Sequence, residues 1–363
     1  MPKFTCPFCI REYKHKEVLY NCPDCGSTAS KKSPFEAEPI KCSDSSCGGY
    51  ATLRKCPSCS EIIPKTALET RNLPFSIVGI SNSGKTNYIT VMLHELSRYS
   101  ALRLALGPQT NETREHQNEN RRRIYEDHVF LESTQAGMSM PQIWHIKNLE
   151  KKKGNNVPTY TFTIFDGAGE DHSNLDPSST ECRYINASKA IILAIDPLVL
   201  PSVRRVVDPD IVRNSLAGNE GRVENIEEVI NNVVTYIKTA RGIGSTKILK
   251  IPVAVVLTKF DTIIDQPAFT NALVKQSGIN VRDKKIVTSD IAQVDDEIKS
   301  WLIEVGEGAF VNALESHFKE FYFFGVSSYG SPPKDIYTLA DRIQPHRVLD
   351  PILWLFKREN FID

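Results

Sequence analysis

FSIVGISNSGKTN, residues 75–87, sets a short apolar run against a glycine-bounded loop and then a helical pattern. Residues 75–79 read as a buried strand. Residues 79–86, GISNSGKT, fit G-x-x-x-x-G-K-[ST] at every fixed position. Over residues 87–99, Ile89, Met92, Leu93 and Leu96 recur at helical spacing. The chemistry follows from geometry. Gly79 and Gly84 permit backbone angles and close approach that a side chain would block. Consecutive N–H groups across Ser81, Asn82, Ser83 and Gly84 then converge on phosphate oxygens, backed by the positive end of the new helix that opens towards Asn87. Lys85 would reach the outer phosphates, and the Thr86 hydroxyl would complete a Mg²⁺ shell.

Three later stretches fit around this loop. Residues 160–171, YTFTIFDGAGED, read as an alternating strand ending in Asp166-Gly167-Ala168-Gly169. Asp166 can hold the hydration shell of Mg²⁺. Gly169 can offer its N–H to a terminal phosphate, so that losing the phosphate frees the loop that follows. Residues 252–257, PVAVVL, run straight into Thr258-Lys259-Phe260-Asp261. There Asp261 can accept both N1–H and the 2-amino group of guanine, while Lys259 packs its stem along the base. Residues 321–326, FYFFGV, enter Ser327-Ser328-Tyr329-Gly330, a loop whose backbone can touch guanine O6.

A chain of 363 residues with 44 basic and 44 acidic side chains has ample core material and no bulk charge to attract nucleic acid or an anionic membrane. No apolar run approaches a membrane span, and MPKFTCPFC lacks the apolar core of a secretory signal, so a cytoplasmic location is expected. Eight of the nine cysteines fall within residues 6–59, as Cys6/Cys9, Cys22/Cys25, Cys42/Cys47 and Cys56/Cys59. Four disulfides are not expected in that compartment, which leaves two Cys₄ zinc sites. The simplest pairing is sequential, Cys6, Cys9, Cys22 and Cys25 on one ion and Cys42, Cys47, Cys56 and Cys59 on the other. A crossed pairing of first with third and second with fourth pairs stays open. Few aliphatic residues lie here, so metal would supply the folding energy.

Between these anchors, residues 102–106 suggest a short strand, and the polar residues 109–130 a helix through their middle. Arg121-Arg122-Arg123 reads either as an arginine finger or as one solvated helix face. Thr134 precedes an alternating strand at 142–147 and is the candidate switch residue over Mg²⁺, with Thr113 and Ser133 as rivals. Residues 189–195 form a buried strand, 201–221 a loop, and 223–240 an amphipathic helix. A helical stretch at 290–318 and a closing helix at 345–361 complete the chain.

GISNSGKT, DGAG, TKFD and SSY, in that order, resemble the translation-factor- and Ras-related (TRAFAC-class) P-loop GTPases, and most closely the bacterial double-GTPase type found in conflict systems. The resemblance implies an α/β fold with a mostly parallel central sheet flanked by helices, plus the small Cys-rich zinc-binding region. The domains expected are 1–62 for zinc, 63–73 as linker, and 74–363 for the GTPase, with an insertion near 107–140. It also implies GTP and GDP as ligands, Mg²⁺ held by Thr86, Thr134 and Asp166, and slow hydrolysis driving two switch loops. Lys85, Thr134, Gly169, Glu170 and His172 would be the catalytic set. Thr258 replaces the family's Asn in the base-reading motif, and Glu170 stands where relatives carry Gln or His, so Glu170 and His172 share the candidacy for orienting water. The implied partner is a protein effector, a second GTPase included. Two other functions compete: a GTP-dependent assembly module without turnover, and a nucleic-acid factor contacting its target through the zinc modules.

Overall fold

The computed structural model describes residues 3–31, 38–79, 83–131, 141–166, 180–216, 225–269, 273, 275, 279–280, 285–332, 338–339 and 342–363. Seven strands make the central sheet: β1 (Arg71–Gly79), β2 (Leu104–Pro108), β3 (Gln142–Asn148), β4 (Thr159–Asp166), β5 (Ala190–Ile195), β6 (Val253–Leu257) and β7 (Phe321–Gly325). Their spatial order is β7-β6-β5-β1-β4-β3-β2. The five strands from β7 to β4 run parallel, while β3 pairs antiparallel with both β4 and β2.

β5 (AIILAI) and β6 (VAVVL) are apolar at every position because both faces of the sheet are covered, while β4 alternates threonine with apolar residues. On β5, Ile191, Leu193 and Ile195 face one apolar cluster and Ile192 and Ala194 the other, as the period of two requires. The first cluster packs under α4 (Ile226–Ala240), α5 (Thr288–Val305) and α6 (Gly308–His317). The second lies under α1 (Lys85–Arg98) and α7 (Asp350–Arg358), and α2 (Asn111–Tyr125) adds Ile124. α3 (Thr180–Ala187) packs beside β1 and α4.

Several boundaries differ from those expected. β1 begins at Arg71, so residues 71–73 of the expected linker run in the sheet. Pro74 is tolerated there because the ladder to β5 starts one residue later, with Ala190 opposite Phe75. The expected loop at 201–221 contains two short helices, Pro201–Val206 and Pro209–Leu216. Each opens on proline, which suits the first helical position as well as it suits a loop. The stretch 290–318 breaks at Gly306, whose φ of 104° caps α5. The closing helix starts only at Asp350, because His346 pairs its backbone with Ser327.

The cysteine-rich region is made of short antiparallel strands. Lys3–Thr5 pairs with Glu12–Lys14, Ile40–Lys41 with Tyr50–Ala51, and Leu19–Asn21 with both Thr28–Ser30 and Leu53–Lys55. It rests on the large sheet. The Tyr184 hydroxyl of α3 donates to the Phe8 carbonyl at 3.0 Å and also contacts the Pro7 carbonyl, and Ile10 packs with Phe165 and Tyr184.

Candidate functional site

The carboxyl ends of the parallel strands open on one edge of the sheet, the place where open α/β sheets form ligand crevices. In spatial order they deliver Asp166 from β4, Gly79 from β1, Asp196 after β5, Thr258–Asp261 after β6 and Ser327–Ser328 after β7. Residues as far apart in sequence as Gly79 and Ser328 thus line a single edge.

At the β1 end, a Cβ on Gly79 would sit 2.2 Å from the Ala194 carbonyl, so only glycine fits. Gly84 is left-handed (φ 72°) and starts α1. Lys85 is buried and donates to the Gly79 carbonyl at 3.1 Å. The Thr86 hydroxyl donates to Asp166 Oδ2 at 2.8 Å. Burial pushes the Asp166 carboxyl up, opposed by Lys85, by the Thr86 hydrogen bond and by His116. Asp166 Oδ1 and Ser83 Oγ are both buried without a hydrogen-bond partner among the described residues. Buried polar atoms left in that state cost about 1–3 kcal/mol each. A hydroxyl and a carboxylate oxygen side by side form a hard-oxygen donor set suited to a hydrated Mg²⁺.

The other end of the edge is built from two interlocked loops. Thr258 Oγ1 lies 2.6 Å from the Ser83 carbonyl and 3.0 Å from the Ile195 carbonyl, so it ties its loop to the glycine loop. The Phe260 N–H donates to Val326 O at 3.0 Å, and a Cβ on Gly325 would come within 2.7 Å of the Phe260 ring. Asp261 is partly buried. Burial pushes its carboxyl up, while the Ser327 hydroxyl, Lys259 and a backbone N–H favour the charged form. Lys259 pairs with Asp196 at 2.6 Å. Ser328 is buried beside Ser327, whose hydroxyl accepts the Gly330 N–H at 2.7 Å. Asn87 turns its side-chain oxygen to the Leu131 N–H and the Tyr329 hydroxyl, bridging α1 to the loop after β7.

Other candidates fall elsewhere. Thr113 is buried and accepts the Ile143 N–H at 3.0 Å, which makes it a structural link rather than a switch residue. Arg122 is exposed and Arg121 half-buried, and they pair with Glu126, Glu119 and Asp127, as a solvated helix face requires. Ser81, Asn82, Ser133, Thr134, Gly169, Glu170 and His172 lie outside the described residues.

Sequence reasoning missed three residues. Asp196 directly follows β5, is 2% exposed and pairs with Lys259, and no motif marks it. His346 braces the β7 loop through backbone hydrogen bonds to Ser327 and accepts no such role from any motif. Arg347, its side chain 1% exposed, pairs with Asp350 at 2.8 Å and with Asp290, and donates to the Lys275 carbonyl at 3.1 Å.

The eight cysteines form two clusters, Cys6, Cys9, Cys56 and Cys59, and Cys22, Cys25, Cys42 and Cys47, with the four sulfurs of each within 4.8 Å of one another. This corrects the sequential pairing and also excludes the crossed one. The first pair joins the fourth and encloses the second and third. The cause is the antiparallel pairing of Leu53–Lys55 with Leu19–Asn21, which folds the last Cys pair back towards the first. A tetrahedron with Zn–S near 2.3 Å has S···S edges of about 3.8 Å. Cys6–Cys59 at 3.8 Å, Cys9–Cys56 at 3.7 Å and Cys22–Cys47 at 3.7 Å match it, and Cys25–Cys42 is tighter at 3.4 Å. The residue after each second cysteine is left-handed: Ile10, Gly26, Gly48 and Ser60, with φ of 58–73°. Either tetrahedron could hold zinc, with no position left open for catalysis.

Among the described residues no helix is long and apolar enough to cross a membrane. No family model matches the chain. It is similar to SaeC of Mycolicibacterium smegmatis, provisionally named for ESX-1 scaffolding and assembly, at 25% identity over 361 residues, covering 92% of this chain and 87% of that protein. Similar solved structures include the S. cerevisiae Ski7 GTPase-like domain bound to GDP and inorganic phosphate, at 15% identity and a TM-score of 0.33 over 80% of this chain. The same domain bound to GTP gives 15% and 0.31 over 71% of this chain, and Sup35 complexed with GDP gives 11% and 0.24 over 72%. The match spans half or less of each of those structures' lengths, 50%, 43% and 38%.

Proposed function

We propose that the chain is a guanine-nucleotide switch that hydrolyses GTP to GDP and phosphate, with zinc in both cysteine clusters and a protein as its partner. One observation carries the reading. The glycine loop, the Thr86–Asp166 pair with its orphaned oxygen, the Thr258–Asp261 loop and the Ser327–Ser328 loop all meet at the carboxyl ends of adjacent parallel strands. Lys85 and the loop N–H groups would bind phosphate, Thr86 and Asp166 would hold Mg²⁺, and Asp261 would read the base. The metal, when bound, supplies positive charge against the phosphate oxygens. Zinc would fold the first sixty residues and hold them against α3.

The test is equilibrium binding of GTP against ATP with Mg²⁺, followed by phosphate release. GTP is expected to bind at least tenfold tighter than ATP, and Lys85→Ala to weaken GTP binding by tenfold or more without unfolding the chain. ATP preference, or unchanged affinity in Lys85→Ala, overturns the reading. A second reading, a GTP-dependent assembly module without turnover, is favoured by the likeness to SaeC along nearly the whole chain. GTP binding with phosphate release no faster than in buffer alone would assign it.

A further inference from the structure

The loop after β6 carries one cation within reach of two anions. Lys259 is left-handed (φ 49°), and its stem runs past the glycine loop, where a Cβ on Gly84 would lie 4.0 Å from Lys259 Cε. Its Nζ sits 2.6 Å from Asp196 Oδ2. Asp196 is 2% exposed, and its other oxygen accepts the Leu198 N–H at 2.9 Å. Both of its oxygens are therefore committed, one to backbone and one to the lysine. Asp261 stands two residues beyond Lys259 in the same turn, and the lysine charge reaches it as well.

We propose that Asp196 is a specificity-determining positioning residue, which holds Lys259 aside so that the Asp261 carboxylate stays open to the N1–H and 2-amino donors of guanine. The inference rests on the base-reading role proposed above for Asp261. An ammonium between two carboxylates forms its short pair with one of them, and in this part-buried loop that choice is set by position rather than by solvent. Asp196, fixed through the Leu198 N–H, takes it. With the Asp196 charge removed, Lys259 turns to Asp261 and occupies the acceptor oxygens. Guanine would then compete with an internal ion pair, and its 2-amino group would gain nothing over hypoxanthine, which lacks one.

The experiment measures dissociation constants for GDP, inosine diphosphate and ADP, with Mg²⁺, on the full chain. Four proteins are compared: wild type, Asp196→Asn, Lys259→Met and the double variant. Asn keeps an oxygen for the Leu198 N–H, and Met keeps the apolar stem without the charge. Wild type is expected to prefer GDP over inosine diphosphate by about tenfold or more. Asp196→Asn should bring that ratio to within about threefold of unity, and the double variant should return it to the Lys259→Met value. A wild-type ratio in Asp196→Asn, or a double variant as unselective as Asp196→Asn, overturns the positioning role alone. A wild type that does not separate GDP from ADP overturns the base reading and this inference together.

Discussion

Thr86 and Asp166 satisfy each other through one carboxylate oxygen, and the other, Asp166 Oδ1, is buried without a hydrogen-bond partner among the described residues, which is where the proposed Mg²⁺ would sit. At Asp261 the Ser327 hydroxyl, a backbone N–H and Lys259 favour the charged carboxylate against its burial. Asp261→Asn replaces an acceptor pair by one acceptor and one donor, so the matching base becomes xanthine, which presents an acceptor where guanine presents an amino group. The GTP-to-xanthosine-triphosphate affinity ratio should fall by tenfold to a hundredfold, on the order of 1–3 kcal/mol, in competition binding. An unmoved ratio would mean that another residue reads the base. Lys85, Thr86, Asp166, Thr258, Asp261 and Ser327 could be brought to one sheet edge from the sequence because each lies at the end of a buried strand or within a few residues of it. Asp196 follows a strand in the same way, yet its partner Lys259 is 63 residues away. Arg347 finds Asp290 across 57 residues. Side-chain pairs made only by tertiary folding leave no spacing to read.

At the scale of elements, β7 is an edge strand, and an edge strand presents unpaired N–H groups. Asp295 of α5 takes one of them, accepting the Phe323 N–H at 2.7 Å. Burial pushes the Asp295 carboxyl up to about 6 from its ordinary 3.8, even though the Phe323 N–H and Lys299 favour its charge. The raised value fixes the sign. The contribution of this group to stability is full below about pH 4 and is lost as pH rises through about 6, a swing of about 3 kcal/mol at most. Asp295→Asn keeps an oxygen for the N–H and has no charge to bury. Urea denaturation should find the variant about 1–3 kcal/mol more stable than wild type at pH 8, and no more stable at pH 4. A difference that does not change with pH would mean that Asp295 is stabilised by contacts outside this pair. The elements themselves were readable where apolar periodicity was long, as in β5, β6 and α4. They were misread where proline opens a helix at Pro201 and Pro209, and where Gly306 ends one inside a continuous polar-apolar pattern.

The two parts of the whole molecule are joined where the first cysteine knuckle meets the sheet. Phe165, next to Asp166, stacks on Tyr184 at 4.4 Å, and Tyr184 holds the Phe8 carbonyl between Cys6 and Cys9. Closing the outer cluster links residues 6 and 59, and the inner one links 22 and 47 within it. Lengthening a loop from about 25 to about 50 residues costs only about 0.6 kcal/mol, so chain entropy barely separates nested from sequential pairing. What separates them is the three-stranded pairing of residues 19–21 with 28–30 and 53–55, a tertiary fact that the spacing of cysteines does not encode. Metal content distinguishes the two arrangements without any structure. In the nested arrangement Cys6 and Cys59 share one ion, so Cys6→Ala with Cys59→Ala should lower bound zinc from two ions per chain to one. Cys6→Ala with Cys25→Ala should strip both. Sequential pairing reverses those results, because Cys6 and Cys25 would then share an ion and Cys6 and Cys59 would not. Mass spectrometry of the intact chain under native conditions reads the count directly. Loss of both ions from the Cys6/Cys59 variant, with one kept by the Cys6/Cys25 variant, would sink the nested assignment. If zinc closes the outer cluster, its loss alone should also release the knuckle from Tyr184, because the metal would hold the turn that presents the Pro7 and Phe8 carbonyls.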